Sequence, residues 1–214
     1  MKKFVLLLFV SFLTYNFAFA QSFEKGDILI DAGIGLGIYA TEVTTEISGV
    51  KSKETDGTAS VIIPLKAQYG ISNKFSVGIV FQPENYIEDS DSVNINNEDF
   101  KGSTFRFIGT YYIINKDKFN LNAELGIGLA SLDQSAEDEN GDKFRADWRG
   151  SSFTIGLGIK YYFTESIGFF ANTIYSTYSF NLDEISANGT SFKTDDWEAR
   201  FSGAQISAGL AVKF

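Results

Sequence analysis

Five charged residues lie on predicted strands at positions whose side chains point to the polar face of the sheet. They are Asp31, Lys66, Arg106, Glu124 and Lys160. If the sheet closes on itself, these charges are enclosed and must form ion pairs, because an isolated buried charge is very costly. Folding the first long hairpin about its midpoint places Asp31 near Lys66. The same operation on the third places Glu124 near Lys160, with Arg106 one strand away. We predict a polar network in the lumen, and a proton or ion path is the functional alternative.

Catalytic chemistry has few residues to use in this chain. The sequence contains no His and no Cys. This excludes nucleophilic catalysis with a His base, excludes thiol chemistry, and argues against a zinc site. A pair of carboxylates, as in glycosidases, needs only Asp and Glu, but acids in predicted loops are expected to be solvated. We therefore predict no catalytic residue, no cofactor and no metal site.

Eight segments alternate apolar and polar residues with a period of two, which is the period of a β-strand. The predicted strands are 27–39, 58–69, 75–81, 103–114, 119–132, 153–163, 167–180 and 200–214. Most run for 11 to 15 residues, which is enough to cross a bilayer when tilted by about 45°. Short turns at 70–74, 115–118 and 164–166 alternate with long connections at 40–57, 82–101, 133–150 and 181–198.

Negative charge is concentrated in the long connections, which hold 21 of the 27 acidic residues and 7 of the 18 basic ones. The formal net charge is −9, and it becomes −11 if a leader containing Lys2 and Lys3 is removed. Such an acidic chain is a poor candidate for nucleic-acid binding, which depends on Lys and Arg. Short turns at one end and long loops at the other are typical of outer-membrane barrels, whose turns are periplasmic and whose loops are extracellular.

The first 20 residues have the pattern of an export signal. Lys2 and Lys3 precede an apolar core over 4–13, and Ala18-Phe19-Ala20 forms an A-x-A site before Gln21. A membrane anchor is the alternative, but a spanning helix needs about 20 apolar residues and this core is shorter. We predict cleavage between Ala20 and Gln21, which divides the chain into a signal peptide, 1–20, and one barrel domain, 21–214.

Alternation alone does not say which face is inside. A soluble, lipocalin-like exported barrel would bury the apolar face, whereas a membrane barrel exposes it to lipid. The Gly-rich polar face favours a narrow interior, since Gly on a solvated strand only weakens it. Aromatic residues crowd the strand ends, which matches the two interfaces of a bilayer. We assign Tyr69, Phe75, Tyr111, Phe119, Tyr161, Phe163 and Phe214 to the turn end, and Tyr39, Phe81, Phe105, Phe153 and Phe180 to the loop end. Trp148 and Trp197 are interpreted as anchors at the outer interface.

The last strand alternates without a break and ends on Ala211-Val212-Lys213-Phe214. With the export signal, the eight strands and the acidic loops, this pattern resembles the small eight-stranded bacterial outer-membrane barrels, which include the OmpA transmembrane domain, OmpX and Ail. The resemblance implies an all-β, antiparallel, up-and-down transmembrane barrel in the outer membrane, with both termini in the periplasm. It also implies that the barrel-assembly machinery reads Leu210, Val212 and Phe214 as an assembly signal, and that outer-membrane lipid surrounds the protein.

We expect a non-enzymatic barrel that has a structural role or binds an unidentified surface partner through its four acidic loops. A narrow pore or ion channel is the first alternative. A soluble exported ligand-binding barrel is the second.

Overall fold

The computed structural model describes residues 22–47, 50–87, 96–137, 143–188, 190–192 and 197–214. The described chain consists of ten antiparallel strands and their turns. They are β1 (Ile28–Ile47), β2 (Val50–Ile62), β3 (Leu65–Ser72), β4 (Phe75–Ile87), β5 (Asn96–Lys116), β6 (Phe119–Glu137), β7 (Lys143–Tyr162), β8 (Ile167–Ala187), β9 (Thr190–Phe192) and β10 (Trp197–Lys213). No helix among these residues is long and apolar enough to cross a membrane.

The strands close into a ring of eight positions. β2 and β3 occupy one position, because Ile63 and Pro64 interrupt a single long strand. The short β9 pairs only with β8, at the end of that hairpin. β10 pairs with β8 on one side and with β1 on the other, which closes the ring. The fold is therefore the predicted eight-stranded, antiparallel, up-and-down barrel.

The interruption at Pro64 leaves the strand register intact. Asp31 lies opposite Lys66 in β3, and Gly35 lies opposite Ile62 in β2, so no residue is gained or lost between the two pieces. Proline has no N–H to donate to a ladder, but its carbonyl accepts from Gly33 N at 3.2 Å. The barrel wall therefore remains continuous across the break.

Apolar side chains point outward around the whole ring. Ile34, Phe107, Ile127 and Leu157 each expose more than half of their surface, while the alternating positions between them are mostly buried. The alternative of a soluble barrel that buries its apolar face is therefore wrong. The inner side of the wall is crowded, since a Cβ added to Gly158 would lie 2.8 Å from Oδ1 of its cross-strand neighbour Asn122.

The strands extend well beyond the predicted bounds on the side of the long connections. β1 continues to Ile47 and β8 to Ala187, so much of each predicted loop is an arm of a β-hairpin. Beyond the apolar belt the outward positions of these arms carry polar residues, such as Glu42 on β1 and Asn181 on β8, so the arms lack the outer apolar face on which the prediction of strands depends. The tips of the four hairpins fall outside the described residues.

Most predicted interface aromatics face outward, but three side chains at the loop end do not. Phe81, Phe105 and Phe153 are exposed as expected. Tyr39 and Phe180 are almost completely buried inside the barrel, and Trp148, interpreted as an outer anchor, is also buried. Trp197 is partly exposed. The loop end of the lumen therefore contains aromatic rings that the sequence analysis assigned to the membrane interface.

Candidate functional site

All five charged residues predicted for the lumen have side chains buried inside the barrel. Two direct ion pairs connect four of them. Lys160 Nζ lies 2.7 Å from Asp31 Oδ2, and Lys66 Nζ contacts Glu124 Oε2. Each pair crosses the lumen, since β1 and β3 lie on the opposite side of the ring from β6 and β7.

The pairing differs from the predicted one. Asp31 and Lys66 are cross-strand neighbours as expected, but each binds a partner on the opposite wall. Glu124 lies opposite Gly156, and Lys160 lies opposite Asn120, so the third hairpin was predicted four residues out of register. Glu137 pairs with Lys143, so the hairpin is centred on the N-terminal side of the middle of the connection 133–150. The register of a hairpin determines which residues are neighbours within the barrel wall. In a narrow barrel, long side chains can also reach across the lumen to the opposite wall.

Neutral hydrogen-bonding groups surround the Lys66–Glu124 pair. Gln68 Nε2 donates to Thr110 Oγ1 at 2.7 Å and to Ser76 Oγ at 3.1 Å. Thr110 Oγ1 in turn lies 3.5 Å from Glu124 Oε2. Buried charges are tolerated when their remaining lone pairs and protons find partners. This level of the lumen is therefore filled by a connected polar network.

Glu84, which falls in a predicted acidic loop, is a sixth buried charge. Its side chain is buried and accepts hydrogen bonds from Tyr39 Oη and Ser60 Oγ. Glu84 belongs to the same alternation as Val80 and Gln82, so extending the period past Phe81 would have found it. The buried charged residues of the described chain are three acids and three bases, so their formal charges cancel.

Arg106 lies nearer to Glu84 than to the two ion pairs. Its Nη2 donates to Gln82 Oε1 at 2.7 Å, and it interacts electrostatically with Glu84. Arg106 is one strand away from Glu124, as predicted, but at a different level, because Thr110 lies opposite Glu124 and Arg106 lies opposite Gly128. Arg106 therefore belongs to a second polar level, closer to the loop end.

Tyrosine and glutamine complete this second level. Gln205 Nε2 donates to Tyr39 Oη and to Tyr178 Oη, at 2.7 Å in both cases. Above it, aromatic and aliphatic side chains fill the loop end of the lumen. This cluster contains Tyr39, Tyr86, Ala130, Leu132, Trp148, Tyr178, Phe180, Leu182, Ala199 and Phe201. The rings of Tyr86 and Phe201 meet edge to face with centroids 5.6 Å apart, so the packing across the lumen is direct.

The segment before β1 closes the turn end. Gly26, with φ of 97°, lets the chain turn into the barrel mouth. Phe23 is completely buried there, stacked on Tyr112 with centroids 4.0 Å apart. Ser22 N donates to Lys116 O at 3.0 Å, and Asn115 Nδ2 donates to Phe23 O at 2.6 Å. Leu29, Tyr162, Phe170 and Ala211 complete this cluster. The described segment thus occupies the mouth as a hydrogen-bonded plug.

On the hairpin arms, outside the apolar belt, a second kind of ion pair is found. Arg145 Nε donates to Asp147 Oδ1 at 2.7 Å, and its Nη2 donates to Asp133 Oδ1 at 3.1 Å. Burial raises the pKa of Asp133, and the hydrogen bond with Asp147 raises it further. Burial also acts to raise the pKa of Asp147, but the hydrogen bonds with Arg145 and Asp133 and the charges of Arg145 and Arg149 together outweigh it, so the net shift is downward. The pKa of Arg145 is raised, chiefly by the hydrogen bond to Asp147.

The remaining predicted positions have simple surroundings. Leu210 and Phe214 point outward and are exposed, and Val212 is half-buried. The backbone of Phe214 exchanges two hydrogen bonds with Ile28, so pairing continues to the last residue. Ala20 and Gln21 lie outside the described residues. Within the described ranges, no group of three or more His, Cys, Asp or Glu residues is placed to hold a metal ion.

Solved structures of several outer-membrane proteins are similar to this chain. The outer membrane protein OprG from Pseudomonas aeruginosa is 17% identical, with a TM-score of 0.60 over 89% of this chain and 97% of that one. The outer membrane protease OmpT from Escherichia coli is 12% identical, with a TM-score of 0.51 over 88% of this chain and 97% of that one. The attachment invasion locus protein Ail of Yersinia pestis matches at a TM-score of 0.43 and 17% identity, covering 89% and 99% of the two chains.

No protein-family model and no curated protein matches the sequence. At these identities the structural likeness concerns the fold. An apolar outer belt, a charged interior and a closed antiparallel ring are what that fold requires in a membrane. The chain has the fold of the small eight-stranded outer-membrane β-barrels.

Proposed function

We propose that this protein is a closed, non-conducting barrel of the bacterial outer membrane that presents acidic hairpins to the cell surface. The observation that carries the proposal is the filled lumen. An aromatic cluster occupies the loop end, six buried charges of zero net charge occupy the middle, and the plug containing Phe23 occupies the turn end. Ion flow needs a continuous wet path, and packed side chains at three successive levels oppose one.

Planar-bilayer recording tests this proposal against a narrow pore. The refolded wild-type protein is expected to give no stable conductance steps at moderate voltage. Phe23→Ala opens only the turn end and is also expected to be silent, since the loop-end cluster remains. Reproducible unitary steps from the wild-type protein, lost when it is heat-denatured before reconstitution, would establish the pore instead.

A non-enzymatic role is part of the proposal. One similar structure is a protease, but 12% identity carries only the fold. The absence of His from the sequence removes the usual general base, and the buried acids of the described lumen are engaged by Lys, Tyr and Ser rather than lining a cleft. Incubation with casein and with a basic peptide library should leave both substrates intact.

The surface role rests on charge. The connections that form the hairpins hold 21 of the 27 acids of the chain, and we place them outside the cell, with the short turns and both termini in the periplasm. Such an end attracts cationic partners and favours fast, salt-sensitive association. Protease shaving of intact cells should cut the hairpins and spare the turns. Cleavage at the turns of intact cells would reverse the orientation.

We also propose that the C-terminal strand is the assembly signal and that the leader is removed after Ala20. Leu210 and Val212 of β10 and the following residue, Phe214, lie on one outward face. Deleting Phe214 should lower the folded fraction seen as a heat-modifiable gel shift in membranes. Phe214→Tyr, which keeps the aromatic ring, should restore it, and a normal yield of the deletion variant would contradict the assignment. The intact mass of the assembled protein should lack residues 1–20.

A further inference from the structure

The outer wall of the barrel has two unlike sides. On β4, β5 and β6 the outward side chains are large, as at Ile79, Phe107 and Ile127. On β8 and β10 several outward positions carry small side chains instead, including Ala171, Thr173, Ala204 and Ala208. Large residues on the flanking strands β7 and β1 border this small-residue wall. The surface is therefore grooved on one side.

Two depressions lie on the small-residue wall. The lower one, of about 760 Å³, has Ala171, Thr173 and Ala208 in its lining, between Leu157 and Ile34 on the neighbouring strands. Cross-strand pairs explain its course, since Ile159, Ala171, Ala208 and Ile34 lie in one row around the wall. The lining is apolar and lies within the belt that faces hydrocarbon.

The upper depression, of about 800 Å³, has a different lining. Ser151, Ser179 and Arg200 form one outward row across β7, β8 and β10, and Ser202 lies in the row below. Phe153 and Leu129 continue the lining on the apolar side. Hydroxyl and guanidinium groups are hydrogen-bond donors that suit a phosphate. The groove is apolar at one end and rich in hydrogen-bond donors at the other, where the carboxylate of Glu42 also belongs to the lining.

Arg200 is available to a ligand. It is 65% exposed, and its contact with Glu198 is long, at 3.8 Å. Its cross-strand neighbour Glu42 is held by Lys53 at 2.7 Å. By contrast, Arg145 is engaged by two carboxylates at 2.7 and 3.1 Å. The cation in the groove is therefore more weakly paired than the one on the hairpin arm.

The spacing of the two depressions matches one leaflet of a bilayer. From the row of Ser179 to that of Thr173 is six residues, or about 20 Å along a strand. With the strand tilt of about 40° for such barrels, this becomes about 15 Å along the membrane normal. That equals half of a hydrocarbon core of about 30 Å. A lipid with its phosphate at Ser179 would therefore reach the lower depression with its acyl chain.

We propose that this wall is a binding site for a lipid with an anionic, phosphate-bearing headgroup. The phosphate lies between Arg200 and Ser179, and one acyl chain follows the small residues down to Ala171. A second copy of the chain fits less well, because it would bring two sets of acidic hairpins side by side and their negative charges would repel each other. The inference needs only that the apolar belt lies in a bilayer, so it stands whether or not the barrel conducts.

Native mass spectrometry of the refolded protein, released from detergent, tests the site. Phosphatidylglycerol and phosphatidylcholine with identical acyl chains are compared. The wild-type protein is expected to retain phosphatidylglycerol about fivefold more, the effect of one cation near an anionic headgroup. Arg200→Ala should abolish that preference, and Arg200→Lys should keep most of it. The matched control, Arg145→Ala, should leave it unchanged.

Ala171→Phe fills the lower depression and should reduce retention of both lipids. Each variant is first shown to be folded by its heat-modifiable gel shift.

Three results would overturn the proposal. Equal losses in Arg200→Ala and Arg145→Ala would mean that general charge, and not this groove, holds the lipid. Competition by inorganic phosphate alone would mean that the acyl chain contributes nothing. A lipid-free dimer that disappears in Ala171→Phe would assign the wall to a second copy of the chain.

Discussion

The Lys160–Asp31 pair in the lumen and the Arg145–Asp147 pair on a hairpin arm have the same nitrogen–oxygen separation, 2.7 Å. Their surroundings differ greatly. The first pair is 3% and 1% exposed, and the second is 58% and 28% exposed. Water screens the outer pair, so it contributes about 0–1 kcal/mol. The inner pair has lost its hydration, so each charge depends on the other. Equal distances therefore do not imply equal consequences of mutation.

The largest expected effect comes from breaking an inner pair from one side. Glu124→Ala leaves Lys66 without its carboxylate in the lumen, and losing one partner of a buried pair typically costs about 3–5 kcal/mol. The free energy of unfolding, measured by urea titration in lipid vesicles, should fall by that order. The control is Asp183→Ala, which removes the partner of the exposed Arg149 and should cost about 0.5 kcal/mol or less. Equal losses would mean that water reaches the inner pair.

Removing the plug ring should cost somewhat less. Phe23→Ala deletes a completely buried ring that stacks on Tyr112, and such truncations cost about 3 kcal/mol in a packed core. The same urea titration measures it. Phe163→Ala, which removes an exposed aromatic at the same end, is the matched control in the same vesicles and should change stability less. A neutral Phe23→Ala would show that the segment before β1 is only loosely docked.

Removing both members of an inner pair sharpens the contrast between burial and pairing. Lys66→Met with Glu124→Leu leaves no unpaired charge, so the double variant should be within about 1 kcal/mol of wild type. The single Glu124→Leu variant should be far less stable. The double-mutant cycle from the urea titrations of the wild type, the single variants Lys66→Met and Glu124→Leu, and the double variant gives the coupling energy. Additive losses would contradict a direct dependence of one charge on the other.

The smallest effects belong to the outer pair and appear as pH dependence. The pKa of Asp147 is lowered in the folded state, so its contribution to stability is present above its unfolded pKa of about 3.9 and is lost as pH falls through the folded pKa. The raised pKa of Asp133 acts in the opposite direction. Arg145→Ala should raise the pKa of Asp147, as measured by carboxyl-carbon NMR titration in nanodiscs. An unchanged titration would exclude Arg145 as the cause.

Much of the barrel could be predicted because its signal is local. Each strand shows its two faces within a few residues, and even the least regular one, β8, alternates with Tyr175 outward and Ser176 inward. The same alternation of inward and outward side chains also holds at positions that were predicted to face the membrane interface or a loop. Tyr39 shares the face of Asp31, and Glu84 shares the face of Gln82. Trp148, which was interpreted as an outer anchor, likewise shares the inward face of Ser152 and Thr154.

The sequence by itself determined the strands, their two faces and the charge on the long connections, because alternation and composition need no distant partner. Only the tertiary structure decided which charges meet. Asp31 and Lys66 are neighbours in the ladder, yet each binds a residue across the lumen. Their partners are 129 and 58 positions away in the sequence. Ring closure brings β1 and β3 opposite β6 and β7. The plug and the grooved wall depend on closure in the same way, since each is built from strands that are not adjacent in the sequence.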